Sequence, residues 1–276
     1  MKRFDGRVAA VTGAGSGIGQ ALAIELARRG SDLSLCDVDD AGLDSTVERC
    51  KAIGVTVTAG HVDVTDRAAV EAWAAATVAD HGRVNIVVNN AGVALGATVE
   101  SMSYGDLEWL MAVDFWGVVH GTKAFLPHLK ASGEGHVVNL SSVFGLISVP
   151  TQSAYNAAKF AVRGFTDTLR MELEIEGAPV SATTVHPGGI KTAIARNARI
   201  DASATRLGGD VEQIHRGFDR LAITRPERAA TRILDAVARD RRRVLVGPDA
   251  VAIDLLARLP TGIYQRALVR ASRRMR

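Results

Sequence analysis

Short apolar runs alternate along this chain with longer stretches in which apolar residues recur every three to four positions. Residues 7–12, 32–37, 55–60, 84–89, 136–140, 180–185 and 243–246 read as strands, and amphipathic helical patterns lie between them. The runs VAAVT, DLSLCD, NIVVN and HVVNL are too continuously apolar to have a wet face, as expected of parallel strands covered by helices on both sides. The pattern predicts an α/β fold with an open, doubly wound sheet. No repeat or Pro/Gly-rich linker interrupts residues 1–185, so a single catalytic domain is expected over residues 1–247. A polar, weakly periodic excursion at about 189–225 suits a lid over the site.

Beyond it, residues 248–276 form a basic amphipathic extension. Val251, Leu255 and Leu259 are spaced four apart, Leu256, Ile263, Leu268 and Val269 extend the apolar surface, and Pro260-Thr261-Gly262 breaks the pattern into two short helices. The formal net charge of +3 conceals this division: residues 241–276 carry +7 and residues 1–240 carry −4. Such a tail can lie on an anionic membrane surface or pack on a neighbouring subunit. No aromatic residues accompany its arginines for base stacking, so nucleic acid is not expected.

At 276 residues, 47% hydrophobic, the chain can bury a large core without disulfides. Cys36 and Cys50 are too few for a disulfide framework and are not spaced as metal ligands, so no metal is expected. Residues 1–7 are too short and polar for a signal sequence, and no apolar run reaches the 18 or so residues of a membrane span. A cytoplasmic location is expected.

The first candidate chemistry follows the first strand, in Thr12-Gly-Ala-Gly-Ser-Gly-Ile-Gly19, after which residues 20–29 continue as a helix. Glycines 13, 17 and 19 let the backbone turn tightly and approach a pyrophosphate at the helix N-terminus, where unpaired N–H groups favour an anion. The second strand ends in Asp37, placed to accept hydrogen bonds from the adenine ribose hydroxyls and to repel a 2′-phosphate. Ser16 and Val38 offer no cation to offset that repulsion, so NAD is preferred over NADP. Asp37 can alternatively cap the following helix, as can Asp39 and Asp40.

The TGxxxGxG spacing, Asn89-Asn90-Ala91-Gly92 after the fourth strand, Ser142, the Tyr155-x-x-x-Lys159 pair and Pro187-Gly188 followed by Thr192 together resemble the short-chain dehydrogenase/reductase family over about residues 5–250. The resemblance implies a Rossmann fold whose seven-stranded parallel sheet has the order 3-2-1-4-5-6-7, in a homodimer or homotetramer. It implies Tyr155 as general acid/base, Lys159 on the nicotinamide ribose and Ser142 on the substrate oxygen. It also places Gly13, Ser16, Gly17, Ile18 and Gly19 on the pyrophosphate side, Asp63 and Val64 at the adenine, and Asn90, Ala91 and Gly92 along the adenosine side, although Asp63 can equally cap the next helix. Pro187, Gly188, Ile190 and Thr192 fall at the nicotinamide, with Thr192 on its carboxamide. Independently of the family, Tyr155 and Lys159 share one helix face, and an ammonium there favours the phenolate.

One position departs from that pattern. Where the family usually has Asn in a VNxxG segment, this chain reads Val113-Asp114-Phe115-Trp116-Gly117, and an ionised carboxylate only accepts hydrogen bonds where an amide also donates. Asp114 is expected either to organise a water in the family's proton relay, to bind Lys159 directly and raise the tyrosine's pKa, or to be a tolerated isostere. The apolar segments 93–97 and 143–150 flank the ligand edge of such a sheet and point to a lipophilic secondary alcohol or ketone, steroid-, terpenoid- or long-chain-like. Part of them can instead pack beneath the lid. The expectation is an NAD-dependent alcohol dehydrogenase or ketone reductase. The alternatives are an NADP-dependent carbonyl reductase and a nucleotide-binding protein that has lost catalysis.

Overall fold

The computed structural model describes residues 3–208, 212–213, 216–217 and 222–274. Seven parallel strands form one sheet: β1 (Val8–Thr12), β2 (Asp32–Asp37), β3 (Val57–His61), β4 (Ile86–Asn89), β5 (Gly135–Leu140), β6 (Val180–Pro187) and β7 (Arg243–Val246). Their order is 3-2-1-4-5-6-7, as the family resemblance implies. β3 starts two residues later than its apolar run because the Asp32 carboxylate, in place of a ladder carbonyl, accepts the Thr56 N–H at 2.8 Å.

Helices α1 (Gly17–Arg28), α2 (Asp40–Lys51), α3 (Arg67–His81), α4 (Tyr104–Met111), α5 (Gly117–Ala131), α6 (Ser153–Ile175) and α8 (Pro226–Ala238) accompany the sheet, with the short α7 (Ala202–Gly208) inside the excursion. Among the described residues two large apolar cores pack against the sheet. One packs Leu22, Leu26, Ile233 and Leu234 of α1 and α8 against Val11, Leu35 and Val88. The other packs Trp73, Phe125, Leu129 and Leu173 against Val87 and Val137. Burying both faces of the sheet is what makes its strands apolar throughout.

Acidic side chains start α2 and α3. Asp39 caps α2 by accepting the Gly42 N–H, and Asp66 caps α3 through the N–H groups of Ala68 and Ala69. The excursion joins the body through a bridge between Ile190 and Thr224, and through a two-stranded ladder of Leu95–Gly96 with Arg199–Ile200. Most of the expected lid between residues 209 and 221 lies outside the described residues. The tail forms two helices, α9 (Pro248–Ala257) and α10 (Thr261–Arg274), divided at Pro260 as expected. Val251, Leu255 and Leu259 remain exposed, so the apolar stripe is not spent on the body of the chain. Among the described residues, no helix is long and apolar enough to cross a membrane.

Candidate active site

All the motif residues fall at the carboxyl edge of the sheet, where the strands hand over to loops. Ser142 follows β5, lies nearly buried, and accepts the Phe144 N–H at 3.1 Å as the cap of a short 3-10 turn at Val143–Gly145. Tyr155 and Lys159 occupy successive turns of α6, with Lys159 Nζ 5.4 Å from the tyrosine ring centroid. The Ser142 side chain lies beside the Tyr155 phenol and favours its ionised form. Phe144 meets the tyrosine ring edge-on at 6.0 Å.

Asp114 completes this cluster by an irregularity that the sequence pattern does not show. Residues 105–129 are expected as one long helix, but Ala112–Trp116 form a π-helical turn between α4 and α5. The extra residue in the turn carries Asp114 inward, as π-bulges at functional sites commonly do. Its carboxylate is fully buried; Oδ1 accepts the Val93 N–H at 2.7 Å, and Oδ2 pairs with Lys159 Nζ at 3.0 Å. Lys159 Nζ also donates to the Leu140 carbonyl at 3.3 Å. Of the sequence expectations for Asp114, the geometry realises direct binding to Lys159.

The charges respond to this crowding. Burial pushes the Asp114 carboxyl above its ordinary range, against the pull of the Lys159 ammonium and the Val93 N–H. Burial also raises the Tyr155 phenol; Lys159 pulls it down, Asp114 pushes it further up, and the Ser142 side chain opposes that push. For Lys159, burial alone would favour the neutral amine, but Asp114 and Tyr155 outweigh it and hold the ammonium above its usual value.

The glycine loop lies beside this cluster. A methyl on Gly19 would stand 2.0 Å from the Gly13 carbonyl, so only glycine lets α1 start this close to the loop. The Thr12 hydroxyl accepts the Asn90 and Ala91 N–H groups at 2.9 and 3.0 Å, and Asn90 Nδ2 donates to the carbonyls of Thr12 and Gly13. Ile18 and Ile190 pack into the core beneath, while Thr192 abuts Gly17. Gly92 lies against the Asp114–Lys159 pair. Pro187 ends β6, and the Gly188 N–H donates to the Val246 carbonyl at 2.9 Å.

Asp37 points into the loop: it accepts N–H groups from Gly15 at 2.7 Å, Val38 at 2.7 Å and Asp39 at 3.0 Å. The helix cap is Asp39, so the capping alternative for Asp37 is not the one realised. Asp63 is exposed and accepts the Thr65 N–H, leaving the α3 cap to Asp66; Val64 is buried against Gly117. Two braces of the loop escape sequence reasoning. Gln20 Nε2 donates to Gly15 O and Thr46 Oγ1, and Thr46 donates to Ala14 O, which holds the loop carbonyls away from the cleft. A threonine buried inside a polar surface helix is the one available signal.

A cleft of about 580 Å3 runs from Ser16 and Gly17 along α1 to Lys191, Thr192 and Arg196. Its rim carries Arg28 and Arg49 as well, against Glu25 and Glu227, a balance that favours an anion. A glycine loop that turns into a helix N-terminus, a cationic rim and an acidic residue at the end of β2 form the set that a dinucleotide requires. On the opposite side, Tyr155 packs with an apolar cluster that includes Val93, Leu95, Ala97 and Ala154.

Comparison with known proteins agrees with this geometry. A family model for short chain dehydrogenases matches residues 7–203. SadH of Mycobacterium tuberculosis, provisionally classed as an oxidoreductase, is 53% identical over 96% of this chain and 95% of its own length. Human estradiol 17-beta-dehydrogenase 11 is 31% identical over 91% of this chain and 78% of its own. Among solved structures, a short chain dehydrogenase/reductase from Burkholderia phymatum in complex with NAD superposes with a TM-score of 0.87, at 33% identity and 97% coverage of both chains.

Proposed function

The chain belongs to the short-chain dehydrogenase family and is an oxidoreductase, and from that premise we propose that it transfers hydride between NAD(H) and a lipophilic secondary alcohol or ketone. The observation that carries the proposal is the placement of the Tyr155 phenol beside Ser142 with Lys159 Nζ 5.4 Å from its ring centroid. Bound NAD supplies the hydride acceptor. The chain's own residues hold the oxygen and move the proton. Ser142 donates to the substrate oxygen, which places it beside Tyr155 Oη. Tyr155 takes the hydroxyl proton on oxidation and returns it on reduction, and Lys159 stabilises the phenolate in between. Asp114 keeps the ammonium oriented at the base of the cluster.

Asp37 supports NAD as the cofactor, because its carboxylate faces the loop with no cation in the glycine motif to receive a 2′-phosphate. The expected preference in kcat/KM is about a hundredfold for NAD over NADP, equal to about 2.7 kcal/mol of discrimination. Steady-state kinetics with both cofactors check this, and parity would assign the NADP-dependent alternative.

The apolar surroundings of Tyr155 support the lipophilic substrate. Each methylene buried there contributes about 0.8 kcal/mol, roughly fourfold in kcat/KM. A series of secondary alcohols of rising chain length is therefore expected to climb by about that factor per carbon until the pocket fills. A flat series, or better turnover of a polyol, removes the lipophilic assignment.

A further inference from the structure

The first turn of the C-terminal extension reaches back into the cofactor site. Asp249 of α9 accepts the Gly189 N–H at 2.6 Å. A methyl on Gly188 would stand 2.1 Å from Asp249 Oδ2, and one on Gly247 would stand 2.4 Å from Oδ1. The carboxylate is thus wedged between two Cα atoms that only glycine leaves bare. Its Oδ1 is buried with no hydrogen-bond partner. Burying an unsatisfied carboxylate oxygen is unfavourable, so the arrangement is not a default packing solution, and such exceptions concentrate where position matters to function.

The wedge holds the segment 188–192. The Thr224 N–H donates to Gly189 O at 3.2 Å and the Lys191 N–H to Thr224 O at 2.9 Å, so both ends of the excursion meet the exit of β7 at Asp249. At the far end of the segment, Thr192 Cγ2 would lie 3.1 Å from a methyl on Gly17, in contact with the glycine loop. A second contact falls on the other wall. Tyr264 of α10 is buried, and its hydroxyl accepts the Ser148 N–H at 3.4 Å, on the loop that follows Ser142. α9 also packs against the Val143–Gly145 turn. Asp249 and Tyr264 both lie beyond residues 7–203, the part that the family model matches.

We propose that Asp249 is a positioning residue for the nicotinamide wall, and that the C-terminal extension is a strap whose second anchor, Tyr264, sets the substrate wall. The names of the two walls rest on the dehydrogenase reading; the contacts do not. With the wedge in place, segment 188–192 is already ordered when cofactor arrives. Without it, the segment must be ordered on binding, which weakens affinity more than chemistry.

Two measurements on the full chain test this: hydrogen exchange at the amides of 188–192, and the dissociation constant for NADH by fluorescence. Asp249→Ala is expected to speed exchange there and raise the NADH Kd, each about tenfold, with kcat at saturating NAD within about threefold. Asp249→Asn, whose amide oxygen can still accept from Gly189, is expected to return both to within about threefold of the parent chain. Unchanged exchange at 188–192 in the alanine variant overturns the proposal. Should that variant not fold, Asp249→Glu retains the charge with a methylene that the gap cannot hold, and it must show the same acceleration or the proposal fails. Tyr264→Phe is expected to raise the KM for the alcohol about threefold at an unchanged NADH Kd; no change in KM removes the second anchor. NADH that fails to bind the parent chain counts against the dehydrogenase reading alone, and the exchange rates still decide the wedge.

Discussion

Replacing Tyr155 with phenylalanine is expected to lower kcat for secondary-alcohol oxidation by about 10²- to 10⁴-fold, the range that a positioned general acid/base contributes. The substitution removes one oxygen and little volume, so the edge-on contact with Phe144 and the packing against the Val93 and Leu95 cluster remain. The Lys159–Asp114 pair is untouched, because neither partner uses the phenol as its only neighbour. The NADH dissociation constant should therefore stay within about twofold, and kcat and kcat/KM should fall together, the signature of an interaction made in the transition state. Stopped-flow and steady-state assays on the same preparation check both halves. A variant that keeps a tenth of the parent rate would remove Tyr155 from the proton path. Equal background rates in parent and variant would favour the non-catalytic alternative.

The reading of the sheet from the sequence succeeds because its strands are buried on both faces. Runs such as VAAVT and HVVNL leave no position for a wet face, the strand order is what the family resemblance implies, and β3 starts late where the Asp32 carboxylate accepts the Thr56 N–H. The glycine loop, Ser142, Tyr155 and Lys159 are legible because their chemistry depends on local spacing. What stays hidden is set by contacts across long separations or by a change of helical period. Nothing in the pattern around Val113-Asp114-Phe115 marks the π-helical turn that carries Asp114 inward, since one extra residue leaves the apolar periodicity nearly intact. Asp249 reads in sequence as an ordinary acidic residue in a helix's first turn, and its partner Gly189 is revealed only once the β6 and β7 exits lie side by side. Asp37 and Asp39 are both credible caps by sequence, and only the Gly15 N–H decides that Asp37 serves the loop.

The Asp114–Lys159 pair is where removal of one group should cost stability as well as rate. Lys159→Met fills much the same space but leaves the Asp114 carboxyl buried with only the Val93 N–H. Breaking a buried pair in this way destabilises by about 3–5 kcal/mol, on the order of 10 °C in Tm for a chain of this size. The pH dependence follows from the direction of the Asp114 shift. Its folded pKa lies above the unfolded value because of burial, and losing the lysine, which pulls it down, raises it further. The folded state then binds more protons than the unfolded one, so the stability of Lys159→Met should fall as pH rises from the ordinary carboxylate range through the folded pKa. Adding Asp114→Asn should restore most of the lost stability and abolish that slope, because an amide has no charge to bury. Thermal melts of the parent, both single variants and the double variant across a pH series provide the test. In Asp114→Asn alone the single side-chain oxygen can accept from Val93 or from Lys159 but not from both, because the carboxylate meets them with different oxygens, so this variant is expected to lose part of the pair's stability while still folding. With the carboxylate's upward push on Tyr155 gone, the rising limb of its pH–rate profile for alcohol oxidation should move to lower pH. A limb that does not move, together with a double variant no more stable than Lys159→Met, would show that Asp114 is neutral in this site and that the contact with Lys159 is geometry without electrostatic consequence.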